Sequence, residues 1–164
     1  MHRSLALAAL VALSVQGTPG LAADCRMATE AENVEIARKF HEEVINQRNP
    51  AVLDEILAAR LMHHAAGPYP DELQADGVKA MMAGFLTAFP DLHYRFDDFI
   101  VDEDRVVERY TATGTQKGDL PDLPASGRSA TWTGVNIFRI ECGKIVEIWS
   151  EVDAAGRERQ LRGD

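Results

Sequence analysis

The run SATWTGVNIFRIE, residues 129–141, followed by Cys142-Gly143 and then KIVEIWSEV, residues 144–152, has the pattern of a long β-hairpin. Trp132, Gly134, Asn136 and Phe138 alternate within the first run and share one face of a long strand. Cys142-Gly143 turns the chain, and Lys144 to Val152 returns as the last strand. Ahead of this hairpin, Val106 to Thr115 reads as another strand, its β-branched Thr111, Thr113 and Thr115 suited to that conformation. Leu92, Tyr94 and Phe96 alternate with His93, Arg95 and Asp97, so a half-buried strand precedes the charged turn Asp102-Glu103-Asp104. Gly118 to Gly127, with Pro121 and Pro124, is a loop.

Upstream of Leu92 the apolar period lengthens to that of a helix. Thr29 and Glu32 have capping-box spacing, and Ile36, Ala37, Phe40 and Val44 form one apolar face behind them. Asn49-Pro50 marks a second helix running to about Ala58. After the turn-rich Gly67-Pro68-Tyr69-Pro70 a third helix begins near Asp76. Its Val78, Met81, Met82, Phe85, Leu86 and Phe89 are strongly amphipathic, and Pro90 ends it. Helices first and an antiparallel meander afterwards define an α+β class, with helices packed on one face of the sheet.

The first residues read as a targeting segment. Arg3 supplies a positive start, Leu5 to Val15 is apolar or small apart from Ser14, and Thr18-Pro19-Gly20 precedes a small-residue cleavage site after Ala22 or Ala23. The apolar run is too short to span a bilayer. Residues 1–23 are therefore expected to be a secretory signal peptide, with one domain over 24–164 in the periplasm or outside the cell. Loss of Arg3 takes the net charge from −9 to −9 − 1 = −10, which disfavours nucleic acid and, once the signal is gone, anionic membrane. Cys25 and Cys142 are the two cysteines; in an oxidising compartment they could join, but sequence does not supply their separation. No CxxC, HxH or HExxH pattern points to a metal, and no dinucleotide or phosphate fingerprint points to a cofactor.

Several phrases, in order, resemble the SnoaL-like polyketide cyclase or ester cyclase family. They are Ala88-Phe89-Pro90-Asp91-Leu92, Gly114-Thr115-Gln116-Lys117-Gly118, Gly134-Val135-Asn136-Ile137-Phe138-Arg139-Ile140 and Gly143-Lys144-Ile145-Val146-Glu147, then Trp149 with Asp153 four residues on. The match spans roughly residues 33 to 161. The resemblance implies a cone-shaped α+β barrel of the nuclear-transport-factor-2-like superfamily, with a pocket between the curved sheet and the helices. It also implies an intramolecular aldol ring closure without metal or cofactor, and it places the acid/base aspartate at Asp153.

Candidate site residues follow from the residues and the resemblance together. Trp149, Glu151 and Asp153 share a face, which looks either into a pocket or onto solvent; Asp153 is the first choice for acid/base work and Glu151 the second. His64 matches a histidine frequent at this point in the family, and neighbouring His63 would face the other way. His41 reads as a core-edge histidine. Gln116 stands where relatives usually carry histidine; an amide can hydrogen-bond a carbonyl but cannot relay a proton. Arg109, Asn136, Trp132 and Trp149 complete the expected substrate contacts, although Arg109 and Gln116 have opposite parity. The reading favours a cofactor-free cyclase, isomerase or lyase acting on a small carbonyl compound. The alternative is an exported small-ligand binding protein without catalysis. A homodimer through the exposed sheet face is expected.

Overall fold

The computed structural model describes residues 25–64 and 73–164. Residues 1–23, expected to be a signal peptide, and the expected turn at 67–70 lie outside the described residues. Helix α1 (Glu30–His41) opens with the expected capping box: the Glu32 backbone N–H donates to Thr29 Oγ1, and the Thr29 N–H donates to Glu32 Oε2 at 2.8 Å. Immediately after His41 the helix widens into a π-helical turn, Glu42–Asn46. Helix α2 (Val52–Ile56) is shorter than the sequence suggests and uses no side-chain cap. Leu57 is already drawn into the sheet opposite Ile145, which ends the helix early. Strand β1 (Leu57–His64), helix α3 (Ala75–Ala88) and strands β2 (His93–Asp102), β3 (Arg105–Thr115), β4 (Ser129–Glu141) and β5 (Lys144–Val152) follow. Helix α4 (Ala154–Arg162) closes the chain.

The five strands form one curved sheet in the order β1-β5-β4-β3-β2, antiparallel except for the β1–β5 pair. The architecture is α+β, as the hydrophobic periods require. The β4–β5 hairpin turns at Cys142 and Gly143, both with positive φ (53° and 71°), the turn that matches the strands' own twist. Cys25 is disulfide-bonded to Cys142, with Cα atoms 5.2 Å apart, so the start of the described chain is tied to that turn.

The inner face of the sheet carries the core. Val106, Ala112, Phe138, Ile140, Ile145 and Ile148 are buried there against Phe40 and Val44 of the first helical segment and Phe89 at the end of α3. Tyr110 on β3 lies directly opposite Gly134 on β4. A Cβ at Gly134 would run into the Tyr110 ring. Glycine there lets a tyrosine lie flat across its neighbour strand, leaving space above it.

Candidate active site

That space is a cavity of about 90 Å³ between the inner sheet face and α1, α3, α4 and the loop after β3. Its walls are largely apolar: Phe40, Ile45, Met81, Met82, Phe85, Leu92, Leu120 and Trp132. The loop 118–127 closes one side through Leu120, Pro121, Asp122 and Leu123. Gln116 pins that loop. Buried completely, it donates from Nε2 to the Leu123 carbonyl at 3.0 Å, and its Oε1 accepts from the Ser126 N–H at 3.1 Å. Both ends of the amide are consumed by the loop, so Gln116 shapes the wall and does not reach the interior.

One polar row crosses the apolar face. Strand register sets Glu108 of β3 opposite Asn136 of β4, and Asn136 opposite Ser150 of β5. Glu108 Oε2 accepts from Asn136 Nδ2 at 3.1 Å, and Ser150 Oγ donates to Asn136 Oδ1 at 2.7 Å. His63 Nε2 of β1 meets Ser150 Oγ at 2.8 Å, extending the row across four strands. From above, His41 Nδ1 lies 2.7 Å from Glu108 Oε2, and both side chains are almost wholly buried. The His41 ring stacks on Tyr94 at 4.3 Å between centroids, and Tyr94 packs on Tyr110 at 4.6 Å. Such a network is costly to bury, and every satisfied member fixes its neighbours.

Three groups in this cluster are shifted. Burial first, then the neighbouring tyrosine, pushes the Tyr94 hydroxyl far up, and burial pushes Tyr110 up to about 12. Both therefore keep their protons and stay hydrogen-bond donors at neutral pH. Burial, with nearby His64 and His41 adding to it, lowers His63 to about 4, so this imidazole is neutral in the folded protein. Two buried polar atoms in the row, Glu108 Oε1 and His63 Nδ1, have no hydrogen-bond partner.

The residues singled out from sequence divide between two faces. Asn136 and Trp132 line the cavity, both buried. The others stand apart from it. Glu151 is exposed on the outer side of β5. Asp153 is exposed and caps α4, its Oδ1 accepting from the Gly156 N–H at 2.7 Å. His64 points outward, 3.0 Å from Glu147 and stacked on Trp149. Arg109 is also outward, paired with Asp97 at 3.1 Å. The alternation that sends Trp149 and Glu151 outward sends Ser150 inward. It likewise gives His63, rather than His64, to the cavity.

Glu108, Tyr94, Tyr110, Ser150 and Arg157 were not picked out by sequence reasoning. Glu108 had a usable signal: it shares parity with Val106, Tyr110 and Ala112, and a carboxylate in an apolar stripe needs a partner. Helix α4 was not expected from the sequence; Asp153, which the structure makes its N-cap, and Gly163 just past its end are the residues that could have marked it. Among the described residues no group of three or more His, Cys, Asp or Glu side chains is placed to hold a metal ion.

A curved sheet with helices over one face and a polar row within an apolar cavity defines an α+β barrel built around an internal chamber. The SnoaL-like polyketide cyclase model matches residues 35–161, and the chain belongs to that family. Among solved structures it is similar to TsrD from Streptomyces laurentii, at 30% identity and a TM-score of 0.72 over 82% of this chain and 97% of that one. A proposed polyketide cyclase from Acidithiobacillus ferrooxidans matches at 26% identity and a TM-score of 0.70, over 84% and 99% of the two chains. AclR from Streptomyces galilaeus, a proposed hydroxylase, shares the fold at 24% identity and a TM-score of 0.73, over 83% and 84%. None of the curated proteins matches the chain.

Proposed function

We propose that the protein is an acid/base enzyme that rearranges or cyclises a small carbonyl compound in the chamber, with His41 as the proton-transfer group. The supporting observation is the buried 2.7 Å contact between His41 Nδ1 and Glu108 Oε2, with His41 on the cavity wall and Glu108 behind it. Glu108 Oε2 already accepts from Asn136, so it acts as acceptor toward His41 as well. A carboxylate holding the Nδ1 proton leaves the Nε2 lone pair as the base, the arrangement by which a carboxylate orients a catalytic imidazole. In the proposed step His41 Nε2 removes a proton from carbon next to a carbonyl. Tyr94 or Tyr110, still protonated, donates to the enolate oxygen. The enolate carbon then bonds to a second carbonyl carbon of the same molecule, and the resulting alkoxide takes the proton back from His41. The step balances with one proton borrowed and returned, and the apolar walls hold the chain folded for it.

The test is α-proton exchange of 2-tetralone in D₂O, followed by proton NMR. Wild-type protein should exchange it well above the buffer rate. His41→Ala and Glu108→Gln should lose at least ten-fold, and Asp153→Asn should keep most of the rate. Loss on Asp153→Asn with retention on His41→Ala would return the base to the position the family resemblance implies. Wild-type exchange no faster than buffer would overturn the enzymatic reading in favour of a binding protein.

Export and dimerisation belong to the same proposal. The signal-like residues 1–23 and the Cys25–Cys142 bridge support an oxidising compartment. Cell fractionation that finds the protein in the cytoplasm overturns this part. Val135, Ile137 and Trp149, half-buried on the outer sheet face, support a homodimer through that face; a monomer by light scattering at high concentration overturns it.

A further inference from the structure

Arg157 lies on α4, is 7% exposed, and lines the cavity. Its guanidinium sits over two rings, 5.3 Å from the centroid of Phe85 and 5.4 Å from that of Trp132. Among the described residues no carboxylate oxygen lies within 4.0 Å of it, and its buried Nε has no hydrogen-bond partner. The adjacent carboxylate, Glu158, pairs instead with Arg162 at 3.8 Å, and Asp122 stands on the exposed lip of the loop. A cation this deep normally has an anion beside it, because leaving one unpaired is expensive and ring faces offset only part of that cost.

The position within the cavity decides which anion fits. Trp132 and Asn136 point the same way along β4, four residues apart, a separation of ~13 Å. Arg157 is thus at the Trp132 end, and the His41–Glu108–Asn136 cluster crosses the other. The Arg157 charge reaches the Tyr94 and Tyr110 hydroxyls, so it can favour an enolate there from a distance, but among the described residues it makes no hydrogen bond to that end of the cavity. A permanent anion carried at the far end of the ligand would meet the guanidinium. Guanidinium presents a planar fork of N–H donors that matches a carboxylate in two parallel bonds. The flanking aromatic rings suit an aromatic or conjugated body attached to that carboxylate.

We infer that the chamber takes a carboxylate-bearing aromatic or polyene ligand, with its carboxylate on Arg157 and its reacting carbonyl end toward His41. The inference deepens the reading given above and rests on it for the orientation, though not for the anion site itself.

The experiment is calorimetric titration of the full mature chain with 1-naphthoate and with its neutral counterpart 1-naphthamide. Wild-type protein should bind naphthoate at least ten-fold more tightly than naphthamide. Arg157→Met should erase that preference while naphthamide affinity stays within about three-fold, and Arg157→Lys should recover part of it. Equal affinities in wild type, retention of the preference in Arg157→Met, or no naphthoate binding at millimolar concentration each overturn the inference. If Arg157→Met does not fold, the wild-type pair of titrations and Arg157→Lys still decide. Naphthoate preference without 2-tetralone exchange would keep the anion site and remove the catalyst; exchange without the preference would do the reverse.

Discussion

Among the described residues two histidine–glutamate pairs of nearly equal geometry lie on opposite faces of one sheet. His41–Glu108 spans 2.7 Å with 3% and 0% of the side chains exposed; His64–Glu147 spans 3.0 Å with 35% and 21%. The outer pair belongs to a wet surface network in which Glu147 also accepts from Arg139 at 3.0 Å, and hydrogen bonds from both partners hold its carboxyl below the usual range. The inner pair sits in an apolar chamber beside an aromatic stack. Water can replace either partner outside, whereas inside each is the other's main source of compensation. Equal contacts therefore carry unequal consequences, and the proposed proton transfer uses the pair whose partners cannot be replaced by solvent.

The largest expected effect breaks the inner pair. His41→Ala or Glu108→Ala leaves a buried polar or charged group unpaired and should destabilise the fold by about 3–5 kcal/mol in urea denaturation. His41→Leu combined with Glu108→Leu should restore much of that stability without restoring exchange activity. If the single variants cost no more than their outer counterparts, the contrast between the faces fails.

Next comes pH. The folded-state value of about 4 for His63 lies below the ordinary 6.5, so the unfolded chain binds the extra proton between these values. Stability contributed by neutral His63 is complete above pH 6.5 and is lost as pH falls toward 4, in total about 3 kcal/mol. His63→Asn should flatten that slope, and His64→Asn should leave it standing; thermal melts from pH 7 to pH 4 distinguish the two.

A smaller effect separates capping from catalysis. Asp153→Ala removes the hydrogen bond to the Gly156 N–H and should cost about 1 kcal/mol of stability, with exchange activity retained. The smallest belongs to the outer pair: Glu147→Ala should change stability by less than about 1 kcal/mol. A larger loss there would mean that the outer face is covered, as a dimer would cover it.

Much of the scaffold was legible because period and punctuation are local properties. The Thr29–Glu32 box, the amphipathic third helix ending before Pro90, and the Ser129–Glu141 and Lys144–Val152 hairpin all declare themselves within a few residues. The site was less legible because it depends on which face of the sheet is roofed. Trp149, Glu151 and Asp153 show alternation, but alternation does not say which side the helices cover. Asn136 and Trp132 could be placed because their strand face also carries Phe138, an apolar residue that must be inside. Glu108 was overlooked because its partner His41 is 67 positions away and on a helix.

The Cys25–Cys142 bridge also changes how the molecule carries mechanical load. It links points 117 positions apart in the chain, just ahead of α1 and at the tip of the β4–β5 hairpin. Tension applied ahead of Cys25 and at the C-terminus passes through the bridge directly into β5. Helices α1 to α3 and strands β1 to β4, with His41 and Glu108 among them, lie inside the bypassed loop. Under pulling, only β5 and α4 can unravel until the bridge is reduced. Reduction would then release hidden length on the order of 400 Å, at roughly 3.5 Å per residue, a step that single-molecule extension would register as one event.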